Sequence, residues 1–102
     1  MPPAGWLNPI NVPPGQIQHG VDARLLLPSR QDLSRSRMKF QRSLRKAGID
    51  RHTPIQVTPA GVIFDGHHAV RAAADDGQTV DVLVVADQVP PSANSILDLP
   101  VN

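Results

Sequence analysis

Short apolar segments separated by turn-forming residues predict several β-strands. The strongest is the nearly continuous apolar run at residues 80–85, which favours a central strand buried on both faces. Residues 54–57 and 62–64 flank a turn that contains proline and glycine, so we expect them to pair as a hairpin. Nearer the N-terminus, the apolar run at residues 21–27 predicts a further strand or extended segment.

Residues 33–47 have the spacing of an amphipathic helix. Asp32 is the predicted N-cap, and Gly48 supplies the stop after the last turn. Apolar residues at helical spacing form the expected core-facing line, which consists of Leu33, Phe40, Leu44 and Ala47. The opposite line is basic and consists of Arg35, Lys39, Arg42 and Lys46.

The order of these elements predicts the fold class and the organisation of the chain. A strand, a basic helix, a hairpin, a short helix and a strand make a small mixed α+β domain at residues 21–87. A proline-rich arm (residues 1–20) precedes it, and a tail (residues 88–102) follows. Burial in so small a core only just offsets the conformational entropy that the chain loses on folding. We therefore expect the arm to pack on the core or a larger parent protein to support it. The candidate anchors of the arm are Trp6, Leu7 and Ile10.

The candidate site lies where the hairpin leads through Gly66 into an Ala-rich helix, expected at residues 69–74. The start of a helix presents unpaired N–H groups and roughly half a positive charge, which suits an anion such as phosphate. His67 and His68 lie at this start, and Arg71 follows one turn later. We therefore predict that Gly66, His68 and Arg71 bind phosphate. A histidine at a helix start is more often a capping or packing residue, and that alternative stays open.

The basic residues are concentrated in one segment. Seven of the ten Lys and Arg residues fall between Arg30 and Lys46, where the only acid is Asp32. Since exposed helices usually mix acids among their basic residues, this basic stripe favours binding of a polyanion or an acidic partner protein. A solvated surface is the alternative. Aromatic residues are few, so contacts with nucleic acid are expected at its backbone.

Residue types that the chain lacks exclude several kinds of chemistry. There is no cysteine, and hence no disulfide, thiolate nucleophile or thiolate metal ligand. There is no glutamate either, so carboxylate chemistry must come from aspartate. No segment has the pattern of a membrane span or a signal peptide, and no residues have the spacing of a metal site.

Two motifs resemble the ParB/sulfiredoxin-like superfamily: Pro-Ile-Gln-Val at residues 54–57 and Asp-Gly-His-His-Ala-Val-Arg-Ala-Ala at residues 65–73. The Asp-Gly-His-His form is that of free-serine kinases and many stand-alone members. Sulfiredoxins carry their reactive cysteine where His67 stands, so reduction of a sulfinic acid is excluded. Chromosome-partitioning members carry arginine where Ala69 stands and have a helix-turn-helix after the motif, so a centromere-binding clamp is not expected here.

The resemblance implies an enzyme that holds nucleotide or nucleic acid at the start of the second helix and hydrolyses or transfers a phosphoester. The candidate catalytic residues are then Asp65, His67 and His68. One imidazole would donate a proton or stabilise charge. Asp65, with Asp32 as the alternative, would act as a base or as a ligand to Mg²⁺. The candidate cofactors are Mg²⁺ and ATP or another nucleoside triphosphate.

Related domains also occur as C-terminal toxin modules of large secreted bacterial proteins. The resemblance therefore also implies secretion within a larger protein, action in the cytoplasm and an immunity protein as partner. The alternative function is a non-catalytic module that binds nucleic acid or protein through the basic helix. In that case the two histidines only cap the short helix.

Overall fold

Eight short elements make up the part of the chain that the computed structural model describes, residues 5–49 and 54–102. In chain order they are β1 (Ile17–Asp22), a 3₁₀ helix (Ala23–Leu25), α1 (Arg35–Lys46), β2 (Ile55–Val57), β3 (Ile63–Asp65), α2 (His67–Asp75), β4 (Thr79–Val84) and a second 3₁₀ helix (Ile96–Asp98). Two helices and a small mixed sheet confirm the predicted α+β class.

The four strands form one sheet in the order β1-β4-β2-β3. β4 is antiparallel to β1 and parallel to β2, while β2 and β3 pair as the predicted antiparallel hairpin. The strand predicted at residues 80–85 therefore occupies the interior position expected of it. Between β3 and β4 the chain passes through α2, so α2 provides the crossover that a parallel pair requires.

β4 buries only one of its faces. Val80, Val82 and Val84 are buried, whereas Thr79 and Asp81 are exposed. The predicted burial of both faces is therefore wrong, because α2 covers a single side of the sheet.

α2 packs closely on the sheet because its inner face is made of small residues. Val70 and Ala73 are fully buried, and the remaining alanines of the helix are nearly so. The helix begins at His67, two residues before the predicted Ala69. Its N-cap, Gly66, has a φ of 98°, a left-handed conformation that residues with a side chain rarely adopt. Glycine therefore permits the abrupt turn from β3 into α2.

The first strand lies closer to the N-terminus than the segment predicted at residues 21–27. The carboxylate of Asp22 accepts a hydrogen bond from the backbone N–H of Arg24 (3.0 Å) and so starts the first 3₁₀ helix. This local cap interrupts the strand, although the apolar run continues. Leu27 then returns to the edge of the sheet as an isolated parallel bridge to Val62.

α1 begins later than predicted. Ser34, and not Asp32, is its N-cap, with the Ser34 side chain accepting a hydrogen bond from the N–H of Arg37. Leu33 is buried as expected, but it precedes the helix and forms an isolated bridge with Val101.

The apolar line predicted for α1 is otherwise wrong. Phe40 is 61% exposed, Ala47 is exposed and Leu44 is half-buried. Met38 is the only buried residue of the helix. α1 therefore contributes little to the core, and most of its surface is open to ligands or solvent.

The arm and the tail both pack on this core. The indole N–H of Trp6 donates to the carbonyl of Leu25 (2.8 Å), and Ile10 is buried, whereas Leu7 is 79% exposed. In the tail, Ile96 and Leu99 are buried in the core.

The tail also fixes the segment that leads into α1. The N–H of Leu33 donates to the carbonyl of Pro100, and the N–H of Asn102 donates back to the carbonyl of Leu33, both at 2.9 Å. The segment before α1 is thereby held in place, and this segment carries part of the candidate site.

Candidate functional site

A cavity of about 300 Å³ opens at the N-terminus of α2. Three segments line it: the loop before α1, one face of α1 and the turn from β3 into α2. The lining residues are Arg30, Arg37, Phe40, Gln41, Asp65, Gly66, His67, His68 and Ala69.

The backbone at this cavity supplies hydrogen-bond donors. The first N–H of α2 with an intrahelical acceptor is that of Val70, which donates to the carbonyl of Gly66 (3.0 Å). The N–H groups of His67, His68 and Ala69 come before it, and helix geometry gives them no acceptor within α2. No side chain caps this end of the helix. The turn therefore offers donors and the positive end of the helix dipole to a ligand.

The His67 imidazole is buried and holds the loop before α1. Its Nε2 accepts a hydrogen bond from the backbone N–H of Ser29 (3.0 Å) and lies 3.2 Å from the Ser29 hydroxyl, which donates to the carbonyl of Ile63. Because a backbone N–H can only donate, Nε2 carries no proton and the neutral ring is protonated at Nδ1. Burial, the nearby Arg30 and His68 lower the pKa of His67 to about 4, although Asp65 opposes them.

The His68 imidazole makes the equivalent bond to the start of α1. Its Nε2 accepts from the backbone N–H of Ser34 (2.9 Å), the N-cap residue of that helix. Burial, followed by Arg30 and Arg37, lowers the pKa of His68 as well. The two adjacent histidines thus tie both ends of the loop at residues 29–34 to the start of α2.

This geometry argues against the predicted role of either imidazole as a proton donor. At neutral pH both rings are neutral, since their pKa values lie below the ordinary 6.5. Their basic nitrogens are occupied by backbone amides of the loop. The pair therefore resembles the packing alternative more closely than a catalytic pair, although neither histidine caps α2, and both residues still line the cavity.

Asp65 is the one carboxylate among the lining residues, and its side chain is exposed. No hydrogen-bond donor in the described part of the chain pairs with it. Across residues 5–49 and 54–102, no group of three or more metal-ligating side chains comes together. A magnesium ion at Asp65 would thus need water molecules and phosphate oxygens of a bound ligand to complete its coordination.

Arg71 lies apart from the cavity, contrary to the predicted phosphate contact. Its guanidinium pairs with Asp75 (3.1 Å) and donates to the carbonyls of Ile96 (3.2 Å) and Leu99 (2.8 Å). The side chain is only 16% exposed. Arg71 therefore fastens the tail to α2, a use that its spacing from His67 could not indicate.

Two other arginines lie at the cavity where the sequence analysis expected Arg71. Arg30, half-buried in the loop before α1, and Arg37, exposed on α1, both line the cavity. Neither forms an ion pair with a carboxylate of the described residues, although Arg30 donates to the carbonyl of Asp32 (3.1 Å). The concentration of basic residues was visible in the sequence, but which of them face α2 depends on the tertiary fold.

The basic stripe of α1 lines a separate groove of about 380 Å³, beside Met38 and Val101. All four predicted residues are there: Arg35, Lys39, Arg42 and Lys46. The sequence suggested a stripe without acidic neighbours, but the structure differs. α2 ends beside the stripe, and Asp75 pairs with Arg42 (3.0 Å).

Comparison with known proteins gives no match to a family model, to a characterised protein or to a solved structure. The ParB/sulfiredoxin-like resemblance therefore stays a prediction from two short motifs. Within the described residues, no helix has the length and apolar character needed to cross a membrane.

Proposed function

We propose that this protein binds a phosphate-bearing ligand, a nucleotide or a nucleic-acid strand, in the cavity at the N-terminus of α2. The observation that carries the proposal is the convergence of unpaired α2 amides with two guanidinium groups around a cavity of about 300 Å³. Phosphate is the common biological anion whose several oxygens can accept from amides and arginines together.

The charge at the cavity favours an anion even without protonated histidines. With both imidazoles neutral, the charged lining groups are Arg30, Arg37 and Asp65, so arginine exceeds carboxylate by one charge. The dipole of α2 adds to this balance. The attraction therefore persists at neutral pH and above, where imidazolium groups would contribute nothing.

The test is a calorimetric titration with pyrophosphate and with ATP. Arg37→Ala should weaken binding by about 10- to 100-fold, the effect of removing a hydrogen bond between charged groups. Arg35→Ala is the matched control, since Arg35 is exposed on the same helix but does not line the cavity. The proposal fails if the wild-type protein binds neither ligand or if Arg37→Ala binds both as the wild type does.

The alternative function predicts a different pattern for nucleic acid. If the basic stripe were the binding surface, affinity for an oligonucleotide would survive Arg37→Ala and fall in a Lys39→Glu, Lys46→Glu double variant. Lys39 and Lys46 line the groove of α1 and are absent from the cavity of α2. Arg42 is not changed because its contact with Asp75 would complicate the result.

Asp65 favours a second candidate function, cleavage or transfer of the bound phosphoester. It is an exposed carboxylate on the same cavity, and in this function it would act as a base or join phosphate oxygens around Mg²⁺. Asp65→Asn should abolish phosphate release or nucleic-acid cleavage in the presence of Mg²⁺ and leave pyrophosphate binding intact. Equal turnover in Asp65→Asn and wild type, or no turnover in either, would rule out catalysis by this residue.

Secretion as a toxin module and capture by an immunity protein remain proposals that rest on the family resemblance.

A further inference from the structure

Phe40 is an exposed aromatic side chain at a polar cavity. It is 61% exposed and lies on α1 between Arg37 and Gln41, which line the same cavity. Single exposed apolar residues are common on protein surfaces and need no explanation. The position of this one is informative because the chain has only two Phe, one Trp and no Tyr, and this Phe stands at the cavity.

The spacing on α1 brings an aromatic face and a cation to the same side of the helix. Residues three and four positions apart are neighbours on a helix surface, so Arg37, Phe40 and Gln41 form one continuous patch. The turn at Gly66 lines the same cavity and offers the backbone donors of α2. The cavity thus combines an aromatic ring that suits a flat π-system with groups that suit an anion.

A nucleotide has both of these parts in one molecule. Its phosphate carries the negative charge, and every nucleobase has a π-face that stacks on aromatic side chains. Inorganic phosphate or a sugar phosphate would leave the ring of Phe40 unused. The cavity, at about 300 Å³, is at the lower end of the range for small-molecule sites, which fits one nucleotide unit.

We propose that Phe40 stacks on the base of a nucleotide whose phosphate lies at the start of α2, and that this contact selects nucleotides over other phosphate esters. This inference rests on the proposed phosphate site and adds the residue that selects nucleotides there. The half-buried amide of Gln41, in the same patch, can donate to or accept from the edge of the base.

The experiment compares adenosine monophosphate with ribose phosphate by calorimetric titration. The wild type should bind the nucleotide about 5- to 150-fold more tightly, the fold-change that corresponds to stacking of one base. Phe40→Leu keeps an apolar side chain without a π-face, so it should bind the nucleotide as weakly as ribose phosphate. Its affinity for ribose phosphate should be that of the wild type. Phe40→Trp should keep the preference.

Ile17→Ala is the control, because Ile17 is 54% exposed on β1 and does not line the cavity. Two results would overturn the stacking role and leave the phosphate site intact. One is equal affinity of the wild type for the two ligands, and the other is a Phe40→Leu variant that keeps the full preference for the nucleotide. If neither ligand binds, the phosphate site itself fails. A single-stranded oligonucleotide with a terminal phosphate distinguishes the source of the nucleotide: tighter binding than adenosine monophosphate, still dependent on Phe40, identifies a strand.

Discussion

Acidification from pH 7 to pH 4.5 should lower the free energy of unfolding by about 2–3 kcal/mol through His67 alone. The folded protein holds the pKa of His67 at about 4, whereas the unfolded chain has the ordinary value of 6.5. Between these values the unfolded state binds a proton that the folded state does not, so stability is full above pH 6.5 and falls with pH. His68 acts in the same direction, since burial lowers its pKa too. Urea unfolding at a series of pH values measures the effect.

His67→Gln is the informative variant for this pH dependence. The glutamine carbonyl oxygen can accept the hydrogen bond from the Ser29 N–H, but it does not titrate. The variant should therefore lose the part of the decline between pH 6.5 and 4.5 that comes from His67, whereas the part from His68 remains. His19→Gln serves as the control, because the His19 side chain is 77% exposed and holds no loop in place. A decline in His67→Gln equal to that of the wild type would contradict the buried, neutral imidazole.

The same geometry decides what the histidines contribute to the site. A proton on Nε2 of His67 would face the Ser29 N–H, so the two donors would repel and the bond would be lost. The loop with Arg30 would then lose its attachment to α2. We infer that the neutral imidazoles act as positioning residues, which keep Arg30 at the cavity. Any acid–base step there is left to Asp65 or to the ligand.

Local patterns in the sequence were sufficient for β2, β3 and β4 and for the turn into α2, but not for the bounds of β1. The hairpin, the interior strand and the helix that follows Gly66 all arise from contacts among residues close in the chain, within 54–85. Such local contacts can be predicted from the alternation of apolar residues and from the positions of glycines.

The predictions for α1 failed where distant contacts decide. Periodicity placed Phe40 in the core, but Ser34 starts the helix and only Met38 reaches the interior. Leu33, the first residue of the predicted apolar line, pairs instead with Val101 in the tail. A helical pattern shows which residues share a face, but it does not show whether that face meets a core or a cavity.

The sequence singled out one of the three segments that line the cavity, but it did not show the other two. Gly66, His67 and His68 do line one cavity with Asp65. Arg30 and Phe40, from two other segments, join them there only through the fold, and no spacing in the sequence links them to residues 65–69.

Arg71→Ala should destabilise the protein by about 2–4 kcal/mol, which corresponds to a fall in melting temperature of roughly 10–20 °C for a domain of this size. The substitution removes the hydrogen bonds to the carbonyls of Ile96 and Leu99 together with the ion pair to Asp75. Ile96 and Leu99 are buried in the core, so loosening the tail exposes apolar surface as well. Thermal unfolding followed by circular dichroism measures the change.

Arg24→Ala is the matched comparison for this loss of stability. Arg24 also pairs with an aspartate, Asp22, but its side chain is 56% exposed, so solvent screens the ion pair and Arg24→Ala should leave the melting temperature close to that of the wild type. At a temperature where Arg71→Ala remains folded, its affinity for pyrophosphate should equal that of the wild type, because Arg71 does not line the cavity. The opposite result, wild-type stability with lost pyrophosphate binding, would support the prediction from the sequence motif that Arg71 contacts phosphate. It would also show that the guanidinium leaves the tail to reach the ligand.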